Sequence, residues 1–183
     1  MFNKIKLSNG FSLLELMIIM LISAILLISV IPSQKIFFDR ASSQVLSSQL
    51  LRAISMARSE AILRGRMVSL CKSNDQTNCL GSWEEGQIIF ADENQNGHVI
   101  NAAHVLSVFS GRASGKLLWK SSLHRDYLQF LPSGLTNSQN GTFWFCEKNM
   151  KNPSWLIKIN HLGRARFINN DNEDAHNKNE FEC

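Results

Sequence analysis

Apolar and polar positions divide the chain into stretches of different period. From Phe11 to Ile31, FSLLELMIIMLISAILLISVI is apolar almost throughout, with Glu15 its one charged residue. As a helix rising about 1.5 Å per residue it would span ~31 Å, close to the hydrocarbon thickness of a bilayer. Beyond Pro32 the pattern turns amphipathic: Val45, Leu46, Leu50, Ile54, Ala57, Ala61 and Ile62 recur at three- and four-residue spacing with polar residues between them. This spacing predicts that the helix continues and packs one face on the C-terminal part of the chain. Gly65 is a natural C-cap for a helix ending near Arg64.

From Met67 the period shortens. MVSLC at 67–71, GQIIFA at 86–91, HVLSVFS at 104–110, KLLWKSS at 116–122, YLQFL at 127–131, TFWFC at 142–146 and SWLIKI at 154–159 read as strands, separated by turn-forming clusters. Long loops fall at 72–82, 92–101 and 132–140, and NNDNEDAHNKNE at 169–180 is too polar to bury a core face. The expected organisation is a leader at 1–10, an apolar helix at 11–32, its amphipathic continuation at 33–65, a β-rich domain at 66–168 and a polar, acidic tail at 169–183.

Charge refines this picture through its placement. The formal net charge is +4, of which Lys4 and Lys6 in the leader supply two, so the balance alone names no partner. Those lysines precede the apolar run with no acid before Glu15, which by the positive-inside bias keeps the N-terminus cytoplasmic and sends the rest outward. SVIPSQK offers no small-residue cleavage site after the run, so the helix is expected to be retained. Export in turn makes disulfides the expected state of Cys71, Cys79, Cys146 and Cys183. Of the three possible pairings, the short spacing of Cys71 and Cys79 favours a local loop, leaving Cys146 for Cys183.

Glu15 is costly in hydrocarbon unless it is paired. Cleavage between Gly10 and Phe11 would create an amine able to neutralise a neighbouring subunit's Glu15. KIKLSNG followed by FSLLELMIIMLISAILLISVIP resembles the class III leader and N-terminal helix of type IV pilins and type II secretion pseudopilins. The resemblance implies cleavage after Gly10 by a prepilin peptidase, Phe11 as the methylated new terminus, Glu15 as the assembly carboxylate and Pro32 as a helix-kinking proline. ARSEAILRGRMVSLC, together with WEEGQIIFADENQNG, resembles the GspH/FimT family of minor pilins and pseudopilins over nearly the whole chain. The implied fold is α+β and type IV pilin-like, a long N-terminal helix packed on two antiparallel β-sheets.

Candidate chemistry is sparse. Asp92, Asn94, Asn96 and Gly97 begin like a calcium loop, but position 12 would be Ala103 rather than Glu, and a β-turn is the better reading. The five histidines lack metal-like spacing, no nucleophile motif is present, and neither an enzyme nor a cofactor is expected. Trp83, Trp119, Trp144 and Trp155 fall in or beside strands, where an alternating aromatic usually belongs to the core.

The remaining feature is HLGRARF at 161–167. Gly163 permits a turn, and Arg164 and Arg166, two apart, point to one side if the segment is extended. Lys148, Lys151 and Lys158 would widen the same positive surface for phosphate. Gly163-Arg164-Ala165-Arg166 resembles the C-terminal GRxR motif of family members that bind DNA in natural transformation.

The expectation is a minor pilin of a type IV pilus, anchored once in the inner membrane with a periplasmic domain, then carried outward in the filament with DNA and other major and minor pilins as partners. The alternative is a structural minor pilin or H-type pseudopilin that primes filament assembly without touching DNA.

Overall fold

The structure is a computed structural model that describes residues 12–111, 113–148, 150–169 and 181–183, with the side chains of residues 28–37, 40 and 169 outside the description. Two compact units divide the chain at Phe38/Asp39, although the helix α1 (Leu13–Arg64) contributes to both.

In the first unit, Leu16 N–H donates to Ser12 O (3.1 Å) at the start of α1, and Glu15 lies in the first turn, where its charge suits the helix N-terminus. Leu13, Leu14, Met17, Met20, Leu21, Ile25 and Leu26 are all exposed, so this helix is apolar around its circumference. Such a helix needs lipid or protein around it. Among the described residues no helix is long and apolar enough to cross a membrane, and the side chains of the apolar run are described only as far as Leu27. Gly10 and Phe11 lie outside the described residues, as does the side chain of Pro32.

The second unit is built on the amphipathic half of α1. Leu46, Leu50, Ala53, Ile54, Ala57 and Ala61 are buried, and the alanine stripe lets strands approach the helix closely. This corrects the expected face at both margins: Val45 is 64% exposed and Ile62 49%. The helix stops at Arg64, and Gly65 follows at φ +59°.

Eight strands form two antiparallel four-stranded sheets. β1 (Val68–Lys72), β2 (Gly86–Ala91), β3 (Val105–Ser110) and β5 (Tyr127–Phe130) make sheet A in the order β3-β2-β1-β5. β4 (Gly115–Ser121), β6 (Gly141–Glu147), β7 (Trp155–Ile159) and β8 (Ala165–Asn169) make sheet B in the order β4-β6-β7-β8. Both inner faces close on one core, in which Leu50 and Ile54 of the helix meet Leu70 and Phe130 of sheet A and Phe143 and Ile157 of sheet B. The architecture is therefore α+β, a helix packed on two antiparallel sheets.

Each sheet also buries part of its outer face. On sheet A, Cys71, Ile88 and Phe90 are covered by Cys79 and Val99, brought over by the loops after β1 and β2. The Cys71–Cys79 disulfide closes the first of these loops. Within it the Asn78 side chain, then the Asn78 and Thr77 backbone N–H groups, hold the Asp75 carboxyl well below its usual range.

On sheet B, Leu156 and Ile168 are covered by Phe181, whose ring lies 5.0 Å from that of Trp144. The Cys146–Cys183 disulfide fastens this end, helped by Trp144 Nε1–H donating to Glu182 O (3.3 Å). Cys146→Ser combined with Cys183→Ser is expected to lower the unfolding free energy by about 3–4 kcal/mol through the released loop. Freeing Phe181 should also shift Trp144 emission to the red. Urea unfolding at the wild-type midpoint would contradict this bracing role.

Candidate nucleic-acid interface

The candidate site begins at the turn from β7 to β8. Asn160 organises it: its carbonyl accepts from Gly163 N–H (2.9 Å), its Oδ1 from Arg164 N–H (3.0 Å), and its own N–H donates to Arg164 O (3.2 Å). Gly163 has φ +70°, and a Cβ there would stand 2.7 Å from Gly134 O and 3.0 Å from Phe130 Cε1. The glycine is thus required twice, by the left-handed backbone and by the close approach of the neighbouring loop. That loop is fixed in turn: Arg58 Nε of α1 donates to Gly134 O (2.9 Å), and Thr136 N–H donates to His161 O (3.1 Å). Arg164 leaves this braced turn exposed to solvent.

Beyond the turn, alternation sorts β8. Ala165 packs against the core and Phe167 lies 6.1 Å from the Trp155 ring, so Arg166 and Ile168 take the outer face. The register sets Lys158 directly opposite Arg166, Thr142 opposite Lys158, and Lys120 opposite Thr142. One row therefore crosses all four strands of sheet B, holding Lys120, Thr142, Lys158 and Arg166. Like charges facing each other across adjacent strands repel.

Lys158, Arg164 and Arg166 border one depression, whose floor includes Ile159 and Ala165. A second depression, bordered by Lys120, Thr142 and Phe181, adjoins it and shares Asn140, Lys158 and Ile159. Lys148 and Lys151 do not reach either one. They follow the far end of β6, roughly 20 Å along the strand from Gly141, and Lys151 instead lends its carbonyl to Cys183 N–H (3.3 Å). Lys120 escapes a reading by sequence proximity, because only strand pairing brings it near Lys158.

The other candidates have structural partners. Asp92 is buried, and its carboxyl oxygens accept from Ser69 Oγ (2.7 Å), Gln129 Nε2 (2.6 Å), Gly97 N–H (2.8 Å) and Asn96 N–H (3.1 Å). The segment is a turn built around that carboxyl. Trp83 and Trp155 are core residues, Trp119 stacks on Phe143 (4.2 Å) and Trp144 is covered by Phe181.

The sequence profile described as Type II transport protein GspH matches residues 46–163, and that of the prokaryotic N-terminal methylation motif matches residues 5–31. The fold is similar to the type IV minor pilin FimU of Pseudomonas aeruginosa strain PAO1. In one crystal form the TM-score is 0.55 at 22% identity, over 72% of this chain and 92% of that one; in another it is 0.51 at 21%, over 68% and 91%. The minor pseudopilin EpsH of the Vibrio cholerae type 2 secretion system aligns at a TM-score of 0.47 and 12% identity, over 72% of this chain and 98% of that one. No curated protein matches the chain.

Proposed function

Because the chain belongs to the GspH family of minor pilins and pseudopilins and carries the N-terminal methylation motif, we propose that it is a type IV minor pilin that binds DNA through Arg164, Arg166 and Lys158 and supports DNA uptake. The observation that carries this reading is the convergence of these three cations on one depression, with Lys158 set directly against Arg166. A guanidinium can fork onto two phosphate oxygens, and the braced turn and the short strand fix the backbone from which the two arginines project. Contacts of this kind read the backbone, so affinity is largely independent of sequence and falls with salt. Lys148 and Lys151 add to the field that draws DNA in rather than to the contact.

The N-terminus supplies delivery. The all-round apolar helix holds the chain once in the inner membrane with its domain in the periplasm. Prepilin peptidase cuts between Gly10 and Phe11. In the filament, Glu15 meets a neighbouring pilin's terminal amine, and both charges leave apolar surroundings as a pair. The domain then travels outward with the pilus.

The test uses the full-length chain in nonionic detergent and a fluorescent duplex, with Arg164→Gln and Arg166→Gln singly and together. Each substitution is expected to weaken binding roughly tenfold, the value of one charge-assisted contact. Equal affinity in wild type and double variant removes DNA from the reading. It leaves the role of a pseudopilin that primes assembly, which the family description accommodates equally.

A further inference from the structure

The cationic surface does not end at the GRxR turn. Resting on the DNA-binding reading above, we infer that the nucleic-acid backbone is bound along the whole row across sheet B, and that Lys120 of β4 is a phosphate-binding residue at its far end.

Four observations carry this. The register is continuous from Lys120 through Thr142 and Lys158 to Arg166, so the row is a fixed property of the sheet. Its side chains share one face, because Leu117 and Trp119, which precede Lys120 in β4 at the alternate positions, point into the core, as do Phe143 and Ile157 on the neighbouring strands. The two depressions share Asn140, Lys158 and Ile159, so they lie side by side between Lys120 and Arg166. Finally, the adjoining outer row packs against Phe181, which covers Leu156 and touches Trp144 and also forms one border of the Lys120 depression.

Dimensions agree with a backbone ligand. Three strand spacings of about 4.8 Å place Lys120 roughly 14 Å from Arg166. Each strand of a duplex carries one phosphate per ~3.4 Å of axis, so the row spans the axial rise of about four phosphates. Thr142 separates Lys120 from Lys158, giving the row a single cation at one end and a dense cluster of Lys158, Arg166 and Arg164 at the other. The row itself holds lysine, threonine and arginine side chains and no aromatic ring, which favours phosphate as the group recognised.

The salt dependence of duplex binding tests this with the full-length protein in detergent. Lys120→Gln is expected to weaken binding and to make the log–log salt slope shallower by about 0.9, the contribution of one phosphate. Lys120→Glu should weaken binding further. Lys72→Gln, on sheet A, removes the same charge away from the row and should leave the slope as in wild type. A wild-type slope for Lys120→Gln, while Arg164→Gln with Arg166→Gln flattens it, overturns the extended row and leaves the arginine site standing. Equal flattening by Lys72→Gln also overturns it, since binding would then follow total charge. If no variant differs from wild type, the DNA reading itself fails. Lys120 is exposed, and unchanged thermal unfolding of each variant shows that the fold is intact.

Discussion

Replacing Asp92 by alanine is expected to lower the unfolding free energy by about 3–5 kcal/mol, because several buried donors lose their acceptor at once. Ser69 Oγ, Gln129 Nε2 and Gly97 N–H all converge on one carboxyl oxygen, and each would be left without water or partner. The damage would spread. Gln129 also accepts from Asn137 Nδ2 (2.6 Å), and its N–H donates to Gln139 Oε1 (2.8 Å), while Gln139 donates to Tyr127 O (3.0 Å). Asp92 therefore ties the loop after β2 to β5 and to the loop after it. Asp92→Asn keeps the shape but turns a donor toward donors, so a smaller loss is expected. Urea unfolding measures both variants. Calcium added to wild type should leave the midpoint unchanged, and a calcium-dependent rise would restore the metal-loop reading of Asp92, Asn94 and Asn96.

Gly163→Ala should cost about 2–3 kcal/mol of stability, combining left-handed strain with a clash against backbone. The added Cβ meets Gly134 O at 2.7 Å, and that carbonyl is held by Arg58, so neither side can yield cheaply. Gly134→Ala provides the contrast: its backbone is equally left-handed at φ +77°, but its added Cβ meets the end of the half-exposed Ile62 side chain, which can rotate away. Duplex binding should fall in Gly163→Ala beyond the loss in Gly134→Ala, since the turn presents Arg164. Full affinity in Gly163→Ala would show that the turn geometry does not position the arginine.

Most of the fold was legible because its signals are local. Gly65 ends α1, and the strands from β1 to β7 are apolar runs bounded by turn residues. What escaped depended on a further layer. Ile168 breaks the polar/apolar alternation of β8 because Phe181 roofs the outer face, so ARFIN does not read as an ordinary edge strand. GQIIFA reads as a continuous apolar run because both faces of β2 are buried, the outer one under Cys79 and Val99. On the helix, Leu46, Leu50, Ile54, Ala57 and Ala61 are buried as their spacing predicts, the small Ala53 joins them unannounced, and the larger Val45 and Ile62 lie at the exposed margins. Gln87 is fully buried in the core, its Nε2 donating to Trp83 O (2.5 Å) and its Oε1 accepting from Gln49 Nε2 (3.3 Å), a polar position that no periodicity announces. At the candidate site, Arg164 and Arg166 stand out by adjacency, Lys148 and Lys151 are near them only in sequence, and Lys120 comes into line with Lys158 and Arg166 only through register.

Among the described residues β8 is the last strand of sheet B, and such a margin offers unpaired backbone groups to any extended chain that drifts against it. Arg164 and Arg166 are stationed along this margin. Like charge on a second copy of the same margin would oppose its approach, a common way for an edge strand to avoid adding strands to itself. Neutralising both arginines is therefore expected to raise self-association of the protein, which light scattering of the double variant would register.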